Sequence, residues 1–369
     1  MTERDACIAF NLTERIGSVK AAALAGKFGS LAAAWKNGPA WTARGGGPVD
    51  VEGELRKAAK YGVAILTPVD PGYPRQLKAS RSHPLALYIK GDPAALSKPS
   101  ISIVGTRRAT SYGLSIARNI ARDLAADGWC IVSGLAHGID AEAHRGALEA
   151  SGTTVAVLGS ALDKFYPEEN RELGREIAQK GGAVVSEFPF GRSPDMQTFP
   201  QRNHVVAGLS NGVIAVESPR KSGTLITCNI ALEIGRTVMA VPGRIDSNAS
   251  AGCLELIRNG ARLVRNAKDV EEEMRELSGA LEKIKQDGDD ADGKPGEDEP
   301  SPPSAPSYSI EESIVLRNID ETPVSMDVLA AKTRFSPARL NVVCLSLRMK
   351  GRLCFLPGNR VASQPDRTV

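Results

Sequence analysis

Six short runs dominate the middle of the chain: ISIVG (101–105), CIVSG (130–134), TVAVLG (154–159), AVVSE (183–187), GVIAVES (212–218) and VMAVPG (238–243). Each is apolar along its length rather than at alternate positions, and helical segments separate most of them. In the first such segment Leu114, Ala117, Ala121 and Leu124 fall on one face. A strand that is apolar on both faces must be covered on both faces. The pattern therefore predicts an α/β fold, an extended Rossmann-like parallel sheet flanked by helices. Two further strand signals, VAILT (63–67) and LALYIKGD (85–92), precede it, with turn chemistry in DPGYPRQL (70–77) between them.

The flanks read differently. ERIGSVKAAALAGKFGSLAAAW has helical spacing broken by Gly17, Gly26 and Gly29, so residues 1–50 are expected to form a small helical domain of SAM or helix-hairpin-helix type. Few basic residues flank Gly17, which favours a packing or partner module over a DNA-backbone reader. Residues 51–275 are assigned to the Rossmann-like domain with its leading extension. Residues 276–307 include DGDDADGKPGEDEPSPPSAPS, acidic, Pro-rich and nearly free of apolar side chains, as expected of a disordered linker. Residues 308–369 show three helical segments, the last with Ser336 as N-cap, Pro337 in its first turn and Gly351 at its end, then a hairpin around Pro357 and Gly358. This is the pattern of a winged helix. Arg339, Arg348 and Lys350 on the third helix leave DNA and protein partners both open.

With 369 residues, 42% apolar and 24% charged, the chain has the composition of an ordinary globular protein of two or three domains. A net charge of +3 does not by itself announce nucleic acid, so any polyanion site must come from local clustering. The six cysteines form no C-x-x-C pair and sit among apolar neighbours, which suits free thiols in a reducing cytoplasm. The N-terminus lacks an apolar signal core and no run of about 18 apolar residues occurs, so no membrane association is expected.

In an open parallel sheet, ligands bind beyond the carboxyl ends of the strands. The segments found there are GTRRATSYG (105–113), SGLAHGID (133–140), GSALDKFYPEEN (159–170), FPQRNHVVAGLS (199–210), ESPRKSGTLIT (217–227) and PGRIDSNASAG (242–252). Several are rich in Gly or Ser and run into a helix start, where exposed N–H groups bind anions. Gly105, Thr106, Ser133, Gly134, Ser222, Gly223 and Thr224 are the loop candidates, and Arg107, Arg108, Lys164, Arg202, Arg220, Lys221 and Arg244 make the same rim basic. No Walker A loop is present, and VGTRRAT lacks the glycines of a dinucleotide fingerprint, so no nucleotide cofactor is expected. Several separated anion sites suit an extended phosphate backbone better. Of the loop aromatics Phe165, Tyr166, Phe188, Phe190 and Phe199, one or two are expected to be exposed as stacking platforms and the rest to be core. His137, Asp140 and His144 do not make a convincing metal site: His137 lies in the loop and no fourth ligand is near. Asp140 fits the first turn of a helix and His144 a buried, hydrogen-bonded position. No nucleophile elbow and no two-metal acidic cluster occurs, so no catalytic residue is assigned.

The motifs YPRQL (73–77), VGTRRATSYG (104–113), SGLAHGIDAEAHRGAL (133–148), YPEEN (166–170), SEFPFG (186–191), FPQRNHVVAGLS (199–210), ESPRKSGTLIT (217–227) and VPG followed by LIRNGA (256–261) together resemble the DNA-processing protein A (DprA/Smf) family. The resemblance runs over about residues 73–261. It implies a single-stranded DNA binder, not an enzyme, that protects incoming DNA during natural transformation and helps load the RecA recombinase. It also implies a Rossmann domain that carries the DNA pocket and mediates homodimerisation. The family's GTR arginine matches Arg107, its RN motif matches Arg202 and Asn203, and its two glycine loops match Ser133–Gly134 and Ser222–Thr227. Members commonly carry arginine where this chain has His137 and His204. Neutral histidine weakens a phosphate contact near pH 7, which predicts tighter binding in mild acid. A rival likeness exists: SGTLIT followed by ALEIGR is similar to the P-G-G-x-G-T…E signature of nucleotide-monophosphate phosphoribohydrolases, with Glu233 as the catalytic candidate, although the Pro-Gly-Gly is missing.

Overall fold

Burial on both faces is what the six runs achieve. They form β3 (Ser100–Val104), β4 (Cys130–Ser133), β5 (Thr154–Val157), β6 (Ala183–Ser186), β7 (Gly212–Ala215) and β8 (Thr237–Ala240), and all but Thr237 are buried. With β1 (Ala64–Leu66), β2 (Leu87–Gly91) and β9 (Arg262–Leu263) they make a nine-stranded sheet of order β1-β2-β6-β5-β4-β3-β7-β8-β9. Strands β3 to β9 are parallel to one another, while β2 pairs antiparallel with both β6 and β1. The α/β expectation holds. Strand β9 was invisible in sequence, being only two exposed residues long. Strand order reverses between β3 and β7, which creates the crevice where open α/β sheets bind ligands.

The structure, a computed structural model, describes residues 1–13, 16–39, 41–44, 46–80, 82–276 and 310–363, except positions 320, 321, 334, 336, 350, 351 and 357. The expected linker, apart from residue 276, and Ser336, Lys350, Gly351, Pro357 and the side chain of Arg339 lie outside the described residues. Two compact units emerge, Met1–Ala267 and Lys268–Val369.

In the first unit, α1 (Glu3–Leu12), α2 (Ser18–Phe28) and α3 (Leu31–Asn37) enclose a core in which Phe10 meets Trp35 and Trp41 edge-on at 5.2 and 5.0 Å. The carboxylate of Glu3 accepts the amides of Leu31 and Ala32, both at 2.9 Å, and so caps α3 from a neighbouring helix. Next come α4 (Val51–Tyr61), the short α5 (Arg75–Lys78), and α6 (Ser111–Ala126), which starts at N-cap Thr110 and buries Ala117, Ile120, Ala121 and Leu124. Helix α7 (Ile139–Glu149) crosses α6 closely at Gly146, where a Cβ would strike the Arg118 carbonyl. The remaining helices are α8 (Arg171–Gln179), α9 (Thr198–Leu209), α10 (Gly223–Glu233) and α11 (Ala251–Arg258).

The N-terminal helices are tied to the end of β6. Asn11 donates to the Glu187 carbonyl at 3.2 Å, and Glu54 accepts the Phe190 amide at 2.8 Å. Burial pushes the Glu187 carboxyl up from 4.5 to about 7, against the pull of Arg44, and its Oε1 has no hydrogen-bond partner. The native state thus holds a proton that the unfolded chain has already released, so stability falls as pH rises through that window. Glu187→Gln should leave the unfolding midpoint unchanged near pH 4.5 and raise it above pH 7; thermal melts across that range test this.

The second unit contains helices Ile310–Arg317, Met326–Thr333 and Pro337–Met349 with strands Val324–Ser325, Leu353–Leu356 and Arg360–Ser363. Its core joins Val315, Leu329, Leu340, Leu347 and Val361. This is the expected winged helix.

Candidate nucleic-acid interface

Because β3, β4, β5 and β7 are parallel, the loops that follow them emerge at one edge of the sheet. A narrow cleft there is lined by Arg107, Gly134, Ala136, His137, Gly159, Tyr166, Pro167, Phe199 and Arg202. Arg202 lies in the second turn of α9 and is only 6% exposed. Its Nη1 donates to the Val157 carbonyl at 2.9 Å, and its Nε has no partner. Opposite it, Asp140 in the first turn of α7 accepts the Gly134 amide at 3.2 Å. Burial raises the Asp140 carboxyl, while Arg202 and the amides of Ala136 and Gly134 pull it down. Burial likewise lowers the Arg202 guanidinium, and Asp140 opposes that shift. Both groups are desolvated beneath the cleft, and each lies in the field of the other. Gly134 cannot be replaced without moving it, since a Cβ would fall on the Arg202 guanidinium.

Above this base the cleft is aromatic. Arg107 is exposed, with its guanidinium 4.9 Å from the centre of the Phe199 ring. Tyr166, 42% exposed, is tilted against Phe199 at 5.8 Å. Phe188 is buried, and Phe165 and Phe190 are partly buried. A base can stack on such a platform while guanidinium groups meet the phosphates beside it.

The other candidates divide. Asn203 turns toward α10, its Nδ2 donating to the Gly223 carbonyl at 3.5 Å. Ser222 bonds Ser218 through their hydroxyls at 2.6 Å, and Thr224 is buried behind it. Gly223 opens α10 with free space at its Cβ position. Arg108, Lys164 and Lys221 are exposed on loops at the same edge, outside the lining of the cleft. Ser133 turns away: it is fully buried, and its hydroxyl donates to the Ile103 carbonyl at 2.6 Å. Its part in an anion loop is thereby limited to the backbone. Gly105 is packed against Ile139, and the Thr106 amide donates to the Glu217 carbonyl at 2.7 Å. Arg107 and Arg202 thus meet in one cleft, while Ser133, at the end of β4, and Lys221, after β7, lie outside its lining.

Two sets of contacts escaped the sequence reading, although Asp140 was expected in the first turn of a helix and is found there. Asp140 holds Gly134 and faces Arg202. Glu217 fills the crevice between β3 and β7: its carboxylate accepts the Thr110 amide at 2.8 Å and the Thr110 hydroxyl at 2.6 Å. A Cβ on Gly113 would strike it. The anion position at the start of α6, where a nucleotide phosphate binds in many Rossmann folds, is taken by the protein's own carboxylate. An acidic residue inside the apolar run GVIAVES was the available signal.

His144 is buried with Nδ1 2.6 Å from the Thr154 hydroxyl, and burial holds its pKa near about 3. Among the described residues no cluster of three metal-ligating side chains occurs. His204 is absent from the cleft lining, and burial lowers its pKa despite the field of Glu233. His137 does line the cleft, and its Nε2 lies 3.6 Å from the exposed Glu169 carboxylate.

The family model of DNA recombination-mediator protein A matches residues 64–275, and that of the DprA winged helix domain matches residues 299–359. The chain belongs to the DprA/Smf family. Protein Smf of Synechocystis is 35% identical over 320 residues, covering 80% of this chain and 79% of that protein. DNA processing protein DprA of Bacillus subtilis is 42% identical over 205 residues, 55% of this chain and 69% of that one. The X-ray structure of DprA from Streptococcus pneumoniae superposes with a TM-score of 0.56 at 38% identity, covering 60% of this chain and 77% of that chain. DprA of Helicobacter pylori, solved for its single-stranded DNA binding mode, superposes at 0.52 with 30% identity, over 59% of this chain and 96% of that one. Among the described residues no helix is long and apolar enough to cross a membrane.

Proposed function

We propose that this DprA/Smf protein binds single-stranded DNA at the cleft between Arg107 and Arg202, protects it, and helps load the RecA recombinase onto it during DNA uptake and recombination. The observation that carries this reading is the Phe199–Tyr166 platform with Arg107 over one ring and the buried Arg202 beneath it. Stacking serves every base, and guanidinium groups serve every phosphate, so recognition is of the backbone and of unpaired bases. The Helicobacter pylori relative, described as a single-stranded DNA binder, supports the ligand. Exposed Ile226 on α10 and Leu263 on the edge strand β9 offer apolar surface for a homodimer through this unit. A cytoplasmic location agrees with six free cysteines.

The enzyme reading is weaker. Glu233 ends α10, ten residues beyond Gly223 at its start, which is about 15 Å along the helix and away from the loop edge. Glu217 also closes the nucleotide crevice. Incubation with AMP should release no adenine.

A gel shift comparing single- and double-stranded oligonucleotides tests the main reading. Affinity for the single strand should be higher, and its logarithm should fall with log salt by about 0.7 per neutralised phosphate. Deleting residues 276–369 should leave that affinity in place. Equal affinity for both forms, or strong preference for one base sequence, would count against it.

A further inference from the structure

The loop that closes the cleft also builds a second and larger one. Tyr166 and Pro167 line the first cleft, while their neighbours Leu162, Asp163 and Phe165 line a depression of about 570 Å³ on the other side of the loop. Its remaining walls include Phe190, Lys90, Arg171 and Arg175. The chemistry of the first cleft recurs there. The Arg171 guanidinium lies 5.3 Å from the centre of the Phe165 ring, as Arg107 lies 4.9 Å from that of Phe199. Three cations line this depression against one acid, Asp163, whose carboxylate is engaged by the Gly191 amide at 2.9 and 3.1 Å. Arg171 and Arg175 are held by Glu168 and Glu172, each three residues away on the chain. Exposed pairs of that kind are weak, and a phosphate can replace the carboxylate. The crest between the two clefts carries the exposed Lys164.

The geometry points to a second nucleotide subsite on one continuous strand. The single-stranded DNA leaving the Arg107 cleft crosses the 162–167 loop over Lys164 and lays its next bases against Phe165, with Arg171 and Arg175 on its phosphates. This rests on the reading above, and it extends the footprint from one cleft to two. Adjacent residues of the loop, Phe165 and Tyr166, line different clefts, so a single loop separates the two.

The test uses the full chain, the double variant Arg171→Ala/Arg175→Ala, the single variant Phe165→Leu, and deoxythymidine oligonucleotides of about 4 and about 20 residues. The short oligonucleotide should bind the wild type and both variants alike. On the long one the double variant should bind about tenfold more weakly, and its salt slope should fall by about 1.4, two phosphates at about 0.7 each. Phe165→Leu should weaken the long oligonucleotide only, with that slope kept. If long and short affinities stay as in the wild type while Arg107→Ala weakens both, the second subsite is wrong and the first cleft stands. Equal losses on both lengths also overturn it, because the arginines would then act at the first cleft or through general charge. If Arg107→Ala leaves both lengths untouched, the reading of the first cleft fails, and the continuous path fails with it.

Discussion

Arg202→Ala is expected to abolish single-strand binding and to lower the unfolding free energy by about 1–3 kcal/mol. The guanidinium is buried, supplies the donor for the Val157 carbonyl and faces the Asp140 carboxylate. Its removal leaves a carboxylate in a desolvated site with only amide donors, among them Gly134, and opens a void beneath the cleft. A buried carbonyl stripped of its donor, beside a carboxylate that has lost a neighbouring positive field, costs more than a solvated side chain does, so the loss should exceed that of an exposed arginine. The double variant Arg202→Ala/Asp140→Asn should regain part of the stability and none of the binding. Denaturant titrations of the three variants, set beside oligonucleotide titrations, separate the two effects. An unchanged unfolding midpoint in Arg202→Ala would show that Asp140 is accommodated without it.

Arg107→Ala should do the opposite. The side chain is exposed and stacks on Phe199, so folding should be almost unaffected. Affinity for single strands should fall about tenfold or more, alike for all sequences, and the salt slope should lose about 0.7. A thermal melt and a salt series on the same preparation check both halves. Loss of affinity with an unchanged slope would assign Arg107 to stacking rather than to phosphate.

The contrast between these two arginines was not visible in the sequence. Both fall in segments that follow strand ends, and both read as rim cations. One lies over a ring in solvent, while the other is drawn under the cleft by a carbonyl 45 residues away in the chain. Ser133 shows the same gap in the other direction: a loop serine by sequence, it ends as a sheet hydroxyl bonded to Ile103. For the aromatics only a number was expected, one or two exposed, and the folded chain makes it Tyr166, with Phe188 buried. His144 also matched its expectation, being a buried histidine with one hydrogen-bonded ring nitrogen.

Local chemistry was enough for the parallel core of the sheet, the helical flanks, the winged helix and the common edge at which the loops emerge. Apolar runs that cannot stay wet on either side have one way to be buried, and parallel strands send every following loop to the same end. The neighbours within that end were a matter for the folded chain. Strand order put β4 between β3 and β5 and returned β7 to the far side of β3, and this brought Asp140 under Arg202 and Glu217 into the crevice at Thr110. Side chains meet according to which strand ends lie side by side, and spacing along the chain carries no record of that order.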